Sequence, residues 1–266
     1  MGKDMITRHH ISLAIGSITI LYFPLIVIHP FVLFTMGAGV CVGVVVPDIQ
    51  MKKPSRIRAI YFAWAIIQIF KMTILSLFVI LYRIVPGISA DPGDKRLTHS
   101  LPGLFYMAGL TGIVIFCSTW MFSASYPVHY MRIFLAGIII GLILHFLEDI
   151  CTKKGLCLFY PFSKSCRISG SIRPCNTSDR RIRLFHYQAG IIIIALIFAD
   201  YSGLCPPDLK WPLSISAMVF CTALMLYHAE VRITLPDSLE SGVCQESKTA
   251  MLSTHETNKI PSTRTF

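Results

Sequence analysis

Residues 139–156 read IIGLILHFLEDICTKKGL, an apolar helical stretch that ends in polar and charged residues. Near its end the stretch carries four polar side chains at positions i, i+3, i+4 and i+7, namely His145, Glu148, Asp149 and Thr152. Side chains with this spacing lie along one face of an α-helix, with neighbours about 5–6 Å apart at Cβ. An imidazole and a carboxylate one turn apart suit binding of one metal ion, as the His-x-x-x-His pairs of zinc enzymes do. The alternative is a hydrogen bond between His145 and Asp149 that closes the helix end.

The composition of the chain is that of a membrane protein. Of its 266 residues, 54% are hydrophobic and 14% are charged, and the mean hydropathy is +0.63. Several apolar runs approach or exceed about 18 residues, the length of a spanning helix. The sequence therefore predicts an all-α fold, a polytopic transmembrane helical bundle. We attribute the net charge of +10 mainly to cytoplasmic loops.

The apolar runs predict about six spanning helices. They cover residues 11–28, 31–46, 101–122, 133–150, 189–199 with its flanks, and 211–227. We expect residues 1–235 to form one transmembrane, metal-dependent hydrolase-like domain. The tail, residues 236–266, is rich in Ser, Thr, Lys and Glu and lacks periodicity, so we expect it to be a disordered polar tail.

Charge predicts which helix ends face the cytosol. Four basic residues follow Asp48 within ten positions, and eight lie in the predicted loop 152–187. Such clusters mark cytoplasmic segments. The apolar run 59–85 contains Gln68 and Lys71 near its middle and is too short for two crossings of a ~30 Å core. We therefore interpret it as one interfacial or re-entrant helix, which places the next helix start on the cytosolic side as well.

With this topology, five candidate metal ligands meet at one membrane face: His10, Asp48, His99, His145 and Asp149. Imidazoles and carboxylates form a mixed nitrogen and oxygen set that favours a divalent metal, with zinc preferred and manganese or iron nearly as suitable. Five ligands suit one crowded site, or two sites if Asp48 or Asp149 bridges. Hydrolysis requires a metal with an open position, at which water loses a proton near neutral pH.

Each of these residues also has a structural interpretation. His10 would be an ordinary interfacial histidine. Asp48, which follows a proline, would cap the next segment. His99 would stand at a helix start whose natural N-cap is Thr98. The joint placement of the ligands at helix ends favours the functional interpretation.

Four cysteines lie in the basic loop: Cys151, Cys157, Cys166 and Cys175. The chain contains no Cys-x-x-Cys pair, so a structural zinc site is not favoured. In a cytosolic loop these thiols are expected to stay reduced.

The order of short motifs resembles a known family. The motifs are His10, Pro47-Asp48-Ile49, Thr98-His99-Ser100-Leu101, His145-x-x-x-Asp149-x-x-Thr152-x-x-Gly155 and Tyr160-Pro161-Phe162. Over about residues 5–165 this order resembles the LexA-regulated, membrane-bound metal-dependent hydrolases, the YdjM-like inner-membrane proteins. More distantly, it is similar to zinc-dependent phospholipase C and P1-type nucleases. The resemblance implies phosphoester hydrolysis, by analogy.

The chain departs from that pattern at three positions. Gln50 replaces the second acid of Pro-Asp-Ile-Asp, Asp94 replaces the residue that often opens the Thr-His-Ser segment, and Lys153 replaces a proline. A carboxylate at position 94 remains a suitable metal ligand. Gln50 is a weaker ligand, which disfavours a second metal site. A divergent or inactive member of the family is left open.

The predicted function is a membrane-embedded, metal-dependent hydrolase of the bacterial inner membrane. Its expected substrate is a membrane lipid or lipid-linked phosphoester at the cytosolic face, with Glu148 or Asp94 moving the proton. The alternative is a non-catalytic transporter or scaffold. No specific nucleic-acid partner is expected, because the aromatic residues of the basic loop, Phe159, Tyr160 and Phe162, are more simply membrane-interface anchors.

Overall fold

The computed structural model describes residues 3–25, 29–48, 76–83, 94–121, 126–163, 165–173 and 179–235. This part of the chain contains seven α-helices: α1 (Lys3–Leu21), α2 (Pro30–Val45), α3 (Ser76–Arg83), α4 (Leu101–Met121), α5 (Tyr126–Ile150), α6 (Arg180–Tyr201) and α7 (Lys210–His228). The tail predicted to be disordered lies outside the described residues.

Within the described residues, five helical segments are long and apolar enough to cross a membrane: Pro30–Asp48, Leu101–Met121, Val128–Ile150, Arg180–Tyr201 and Pro207–His228. A shorter apolar helix covers His9–Leu21; at 1.5 Å per residue it spans about 20 Å, less than the ~30 Å hydrocarbon core. The predicted all-α, polytopic architecture is confirmed. Of the predicted interfacial helix 59–85, the described residues include only Ser76–Arg83, which is helical.

The basic loop is shorter than the sequence suggested. The predicted loop extended to residue 187, whereas α6 begins at Arg180. The reason is local, because the carboxylate of Asp179 accepts a hydrogen bond from the backbone N–H of Arg181 (3.1 Å) and caps the helix. Three arginines of the predicted loop, Arg180, Arg181 and Arg183, therefore belong to the first turns of α6.

Helices α2 and α5 make the closest helix contact, through glycines spaced four apart on each helix. A Cβ atom at Gly43 would lie 2.1 Å from the carbonyl oxygen of Ile138, and one at Gly141 would lie 2.3 Å from that of Val40. Gly39 and Gly137 make similarly close backbone contacts. Small residues allow such an approach in a membrane, where van der Waals packing drives helix association.

Residue numbers rise together along this contact, so α2 and α5 run parallel and end at the same face. Helix α1 packs against α2 through Ala14 and Ile18, and α4 packs against α5 through Met107. Both run the opposite way, because His10 near the start of α1 reaches Glu148, and His99 just before α4 reaches His145. The starts of α1 and α4 and the ends of α2 and α5 therefore meet at one face of the bundle.

A small antiparallel sheet, which the sequence analysis did not predict, lies beside this meeting point. Its order is β1 (Leu156–Cys157), β2 (Arg167–Ser169) and β3 (Arg232–Thr234). Gly155 precedes β1 with φ +55°, and a Cβ there would lie 2.2 Å from the carbonyl oxygen of Ile168. A glycine is therefore required at this turn. The sheet joins the segments that follow α5 and α7.

Candidate metal centre

Helix α5 supplies two of the predicted ligands, one turn apart. His145 is buried, with 2% of its surface exposed, and its Nε2 lies 3.4 Å from Oδ2 of Asp149. The helix ends just beyond this pair. The hydroxyl of Thr152 donates to the carbonyl of Asp149 (2.9 Å) and accepts from the N–H of Gly155 (3.1 Å). These bonds satisfy backbone groups at the helix end and hold Asp149 in place.

Two more of the five predicted ligands, Asp48 and His99, lie at a helix end and a helix start that are hydrogen-bonded to each other. Asp48 ends the 3-10 turn that follows α2, and the hydroxyl of Thr98 donates to the carbonyl of Pro47 (2.9 Å). The N-cap of α4 is Ser100, whose hydroxyl accepts from the N–H of Gly103 (3.1 Å). Assigning the cap to Thr98 was therefore wrong, since its hydroxyl connects the two ligand-bearing segments.

The nitrogen Nε2 of His99 lies at the centre of the group. It is 3.5 Å from Oδ1 of Asp48, 3.4 Å from Oδ2 of Asp149 and 3.4 Å from Nε2 of His145. These separations exceed the usual N–H···O hydrogen-bond length of about 2.7–3.2 Å. They match the distance of about 3.4 Å between neighbouring ligands on a tetrahedral ion with bonds of about 2.1 Å. Geometry thus favours shared ligation over a simple hydrogen bond from His145 to Asp149.

The chemistry of the donor set also fits a cation. Ligand atoms of Asp48, His99 and His145 all lie within 4.8 Å of one another. The Nδ1 of His145 is buried and has no hydrogen-bond partner among the described residues, so contacts of Nε2 must offset the cost of burying this ring. This half-buried cluster has the donors and the spacing to hold a metal ion.

His10 and Glu148 form a second layer beside the cluster. Nδ1 of His10 contacts Oε2 of Glu148, and Nε2 of His10 lies 3.8 Å from Oδ1 of Asp149. The rings of His10 and His145 are 4.8 Å apart at their centroids. Asp149 therefore directs Oδ2 toward His99 and His145 and Oδ1 toward His10, which suits either one site or a bridging carboxylate. A carboxylate paired with an imidazole in this way orients metal-binding histidines in known sites.

Asp94 is not part of this cluster. Its carboxylate forms an ion pair with the guanidinium of Arg96 (2.7 Å) and accepts a hydrogen bond from the hydroxyl of Tyr160 (2.7 Å). These hydrogen bonds, chiefly those from Arg96, lower the pKa of Asp94 to about 2. The guanidinium of Arg96 also lies 4.7 Å above the ring of Tyr160. The roles of Asp94 and Glu148 in proton transfer stay predictions.

Tyr160 is buried, in contrast to the exposed interface position that the sequence predicted. The motif Tyr160-Pro161-Phe162 suggested an interface anchor, but Tyr160 is only 4% exposed, whereas Phe162 is 58% exposed. Tyr160 packs against Leu97 and its hydroxyl donates to Asp94, so it contacts the segment that leads to His99. The signal in the sequence was the tyrosine itself, because a phenol buries its ring and still needs a partner for its hydroxyl.

The cysteines of the basic loop form no metal-type group among the described residues. Cys151, Cys157 and Cys166 are all free, and Cys175 lies outside the described residues. Burial raises the pKa of the Cys151 thiol to about 12, so this thiol is neutral near pH 7. It packs with Ile172 and Ala229, as expected of a small apolar residue.

Comparison with known proteins identifies the family. The model of the family described as YdjM inner membrane protein matches residues 5–232, a range that includes every predicted ligand. No curated protein and no solved structure matched the chain. Together with its five membrane-spanning segments, the family match identifies a multi-pass inner-membrane protein. The chain belongs to the YdjM inner membrane protein family.

Proposed function

We propose that this protein is a membrane-embedded, metal-dependent hydrolase that cleaves a phosphoester of a lipid or lipid-linked substrate at the cytosolic face. The observation that supports it most is the convergence of His99, His145, Asp48 and Asp149 at one end of the bundle, with neighbouring donor atoms 3.4–3.5 Å apart. Ionisable groups at the end of apolar helices are costly to keep, and a shared cation offsets that cost.

Asp48, His99, His145 and Asp149 would hold the metal, with zinc favoured and manganese or iron possible on the same donors. When bound, such an ion supplies Lewis acidity and lowers the pKa of water. Hydrogen bonds at or beside three of these ligands hold their segments in place. Thr152 supports Asp149, and the bond from Thr98 to the carbonyl of Pro47 connects the segments of Asp48 and His99.

The pair formed by His10 and Glu148 holds or moves a proton at the cluster. Because Nδ1 of His10 contacts Glu148, Nε2 is the atom that faces Asp149. A proton taken up at Nε2 would be stabilised by the charge of Glu148 across the ring, which is the arrangement of a general base with an orienting carboxylate. Glu148 thus acts through His10, as a positioning residue.

Arg96 supplies the anchor for the anionic phosphoester. Its guanidinium is fixed by both oxygens of Asp94 and by the ring of Tyr160, so little side-chain entropy is lost when it binds an oxyanion. Arg96 precedes His99 by three residues in the segment that leads into α4. Asp94, whose carboxylate is engaged in this way, serves to orient Arg96.

The position of the site favours a lipid substrate. The ligands lie at the ends of helices whose outer surfaces carry exposed apolar residues, among them Phe34, Phe105 and Ile143. A substrate anchored in the bilayer would reach this face without leaving the membrane. Basic residues beside the site, including Lys153, Lys154 and Arg173, favour the cytosolic side.

The test is metal analysis of detergent-purified protein. Wild type should contain near-stoichiometric zinc or manganese, whereas a His145→Ala/Asp149→Ala variant should contain little. The matched control is His129→Ala, since His129 is exposed and belongs to no ligand group. Wild-type protein that contains no metal after growth in medium with zinc and manganese would refute the proposal. Metal retention without hydrolysis of a micellar phosphodiester would support the alternative, a transporter or scaffold with a degenerate site.

A further inference from the structure

One face of α6 changes from basic to apolar along its length. Arg180, Arg183, Leu184 and Tyr187 share this face, and the three arginines of the first turns together with Leu184 and Tyr187 line a surface groove. The same face continues through three exposed apolar residues, Ile191, Ile194 and Phe198. These positions follow the i, i+3, i+4, i+7 spacing of one helical stripe.

The opposite face of α6 fixes this orientation. Ile182 and Phe185 are buried against Cys151 and Ala229, and Ala189 and Leu196 are buried against other helices. Since Arg180–Tyr201 is a membrane-spanning segment, the exposed stripe faces lipid, and the groove lies where that stripe reaches the membrane surface.

The three arginines of the groove differ in their partners. The guanidinium of Arg181 is engaged by the carboxylate of Asp179 (2.9 Å) and by the carbonyl of Ser171 (3.1 Å). Arg180 and Arg183 are exposed, and neither has an ion-pair partner in the part of the chain that the structure describes. Two guanidinium groups one turn apart are therefore available to an anion at the membrane surface.

We propose that this groove binds an anionic phospholipid. Arg180 and Arg183 contact its phosphate, because a guanidinium matches two phosphate oxygens with paired N–H donors. Tyr187 lies at headgroup depth, where aromatic rings with a polar end are enriched. An acyl chain then follows Ile191 and Ile194 into the bilayer, so that a charged headgroup and an apolar chain are recognised by one continuous stripe.

The groove lies at the same end of the bundle as the metal centre. Ile182 and Phe185, on the buried face of the same turns, line a cavity together with His10 and Glu148. A lipid bound by Arg180 and Arg183 would therefore lie beside the candidate site. The lipid site does not require metal or hydrolysis, so failure of the proposed function would leave it standing.

The test is binding of dioctanoyl phosphatidylglycerol to the full chain in dodecyl maltoside, measured by isothermal titration calorimetry with and without EDTA. Wild type should bind this lipid but not dioctanoyl phosphatidylcholine, whether or not metal is present. Arg180→Gln/Arg183→Gln should weaken binding about thirtyfold, given the usual contribution of two basic residues near anionic lipid. Lys153→Gln/Lys154→Gln, which removes the same charge from exposed positions on the same face, should bind as wild type does.

Three results would overturn the proposal: equal loss of binding in the two double variants, equal affinity for phosphatidylcholine, or equal affinity for glycerophosphoglycerol, which lacks the chains. Circular dichroism checks that each variant is folded. If the double variant does not fold, the single variants Arg180→Gln and Arg183→Gln decide the question, since each should weaken phosphatidylglycerol binding about fivefold.

Discussion

Helices α2 and α5 differ from α7 in how they meet their neighbours, and the candidate site follows that difference. Their spanning segments are 39% and 50% buried, whereas that of α7 is 6% buried. The tightly packed pair carries Asp48, His145, Glu148 and Asp149, and α7 carries none of the predicted ligands. Close backbone contact thus occurs where side-chain positions must be held, and the loosely covered helix mainly faces lipid.

The physical reason lies in the solvent. Lipid chains are as apolar as leucine, so helices in a bilayer associate through close packing more than through the hydrophobic effect. Glycines at the contact of α2 and α5 bring the two backbones together and leave little freedom at their common end. A ligand set requires positions held within about 0.5 Å, and close backbone packing favours such a set.

The largest effect is expected from widening this contact. Gly43→Ala would place a Cβ 2.1 Å from the carbonyl oxygen of Ile138, so the helices must separate, and we expect a loss of about 3 kcal/mol in the free energy of unfolding. Metal content should fall with it. Gly112→Ala on α4, where a Cβ meets no atom within 4 Å, is the control. Thermal unfolding in detergent measures the stability of both variants. Equal stability would contradict the conclusion that the contact of α2 with α5 is the tightly packed one.

A smaller effect is expected at the bond that connects the ligand-bearing segments. Thr98→Val removes the hydroxyl that donates to the carbonyl of Pro47 and lies 3.1 Å from Nδ1 of His99. It should weaken zinc binding about tenfold, as loss of outer-layer contacts does elsewhere. Thr119→Val is the matched control, because its hydroxyl donates to the carbonyl of Ile115 within its own helix. Competition with a zinc indicator gives the zinc affinity of both variants. Unchanged affinity in Thr98→Val would show that the Thr98 hydroxyl does not support the metal site.

A third prediction concerns the region outside the membrane, where ion pairs rather than helix packing hold the chain. The pKa of Asp94 falls from 3.8 to about 2, so its ion pair with Arg96 stabilises the fold above about pH 4. That contribution should disappear as the pH falls toward 2, with a size of about 1 kcal/mol. Asp94→Asn should remove this part of the acid dependence. Melting curves between pH 2 and 6 measure it, and identical profiles would refute the assignment.

The smallest effect is expected on the lipid-facing helix. Phe220 on α7 is 59% exposed, whereas Met107 is 4% exposed in the contact of α4 with α5. Phe220→Ala should change the free energy of unfolding by less than about 0.5 kcal/mol, and Met107→Ala should cost about 2 kcal/mol or more. Unfolding in mixed micelles tests the pair. Similar losses for both would mean that α7 is covered by a partner.

Much of the site was accessible from short patterns. The i, i+4 spacing of His145 and Asp149 and the location of His10, Asp48 and His99 at the boundaries of apolar runs predicted five neighbouring groups. The structure brings each of them within 3.4–3.8 Å of another, and their role as metal ligands stays a prediction. The patterns sufficed because helix period and run length are local properties. Asp94 shows the limit of such patterns, because Arg96 is a neighbour in the chain but Tyr160, its other partner, comes from a loop that returns from beyond α5.

Run lengths and charge in the sequence alone determined a helical membrane protein with its polar groups at helix ends, because the bilayer forces satisfied backbones and excludes charge from its core. Only the tertiary structure decided which oxygen of Asp149 faces which imidazole, that Glu148 holds His10, and that α2 and α5 run side by side. These three features depend on contacts between segments that are far apart in the chain. The spacing of residues within one helix does not determine which segments pair.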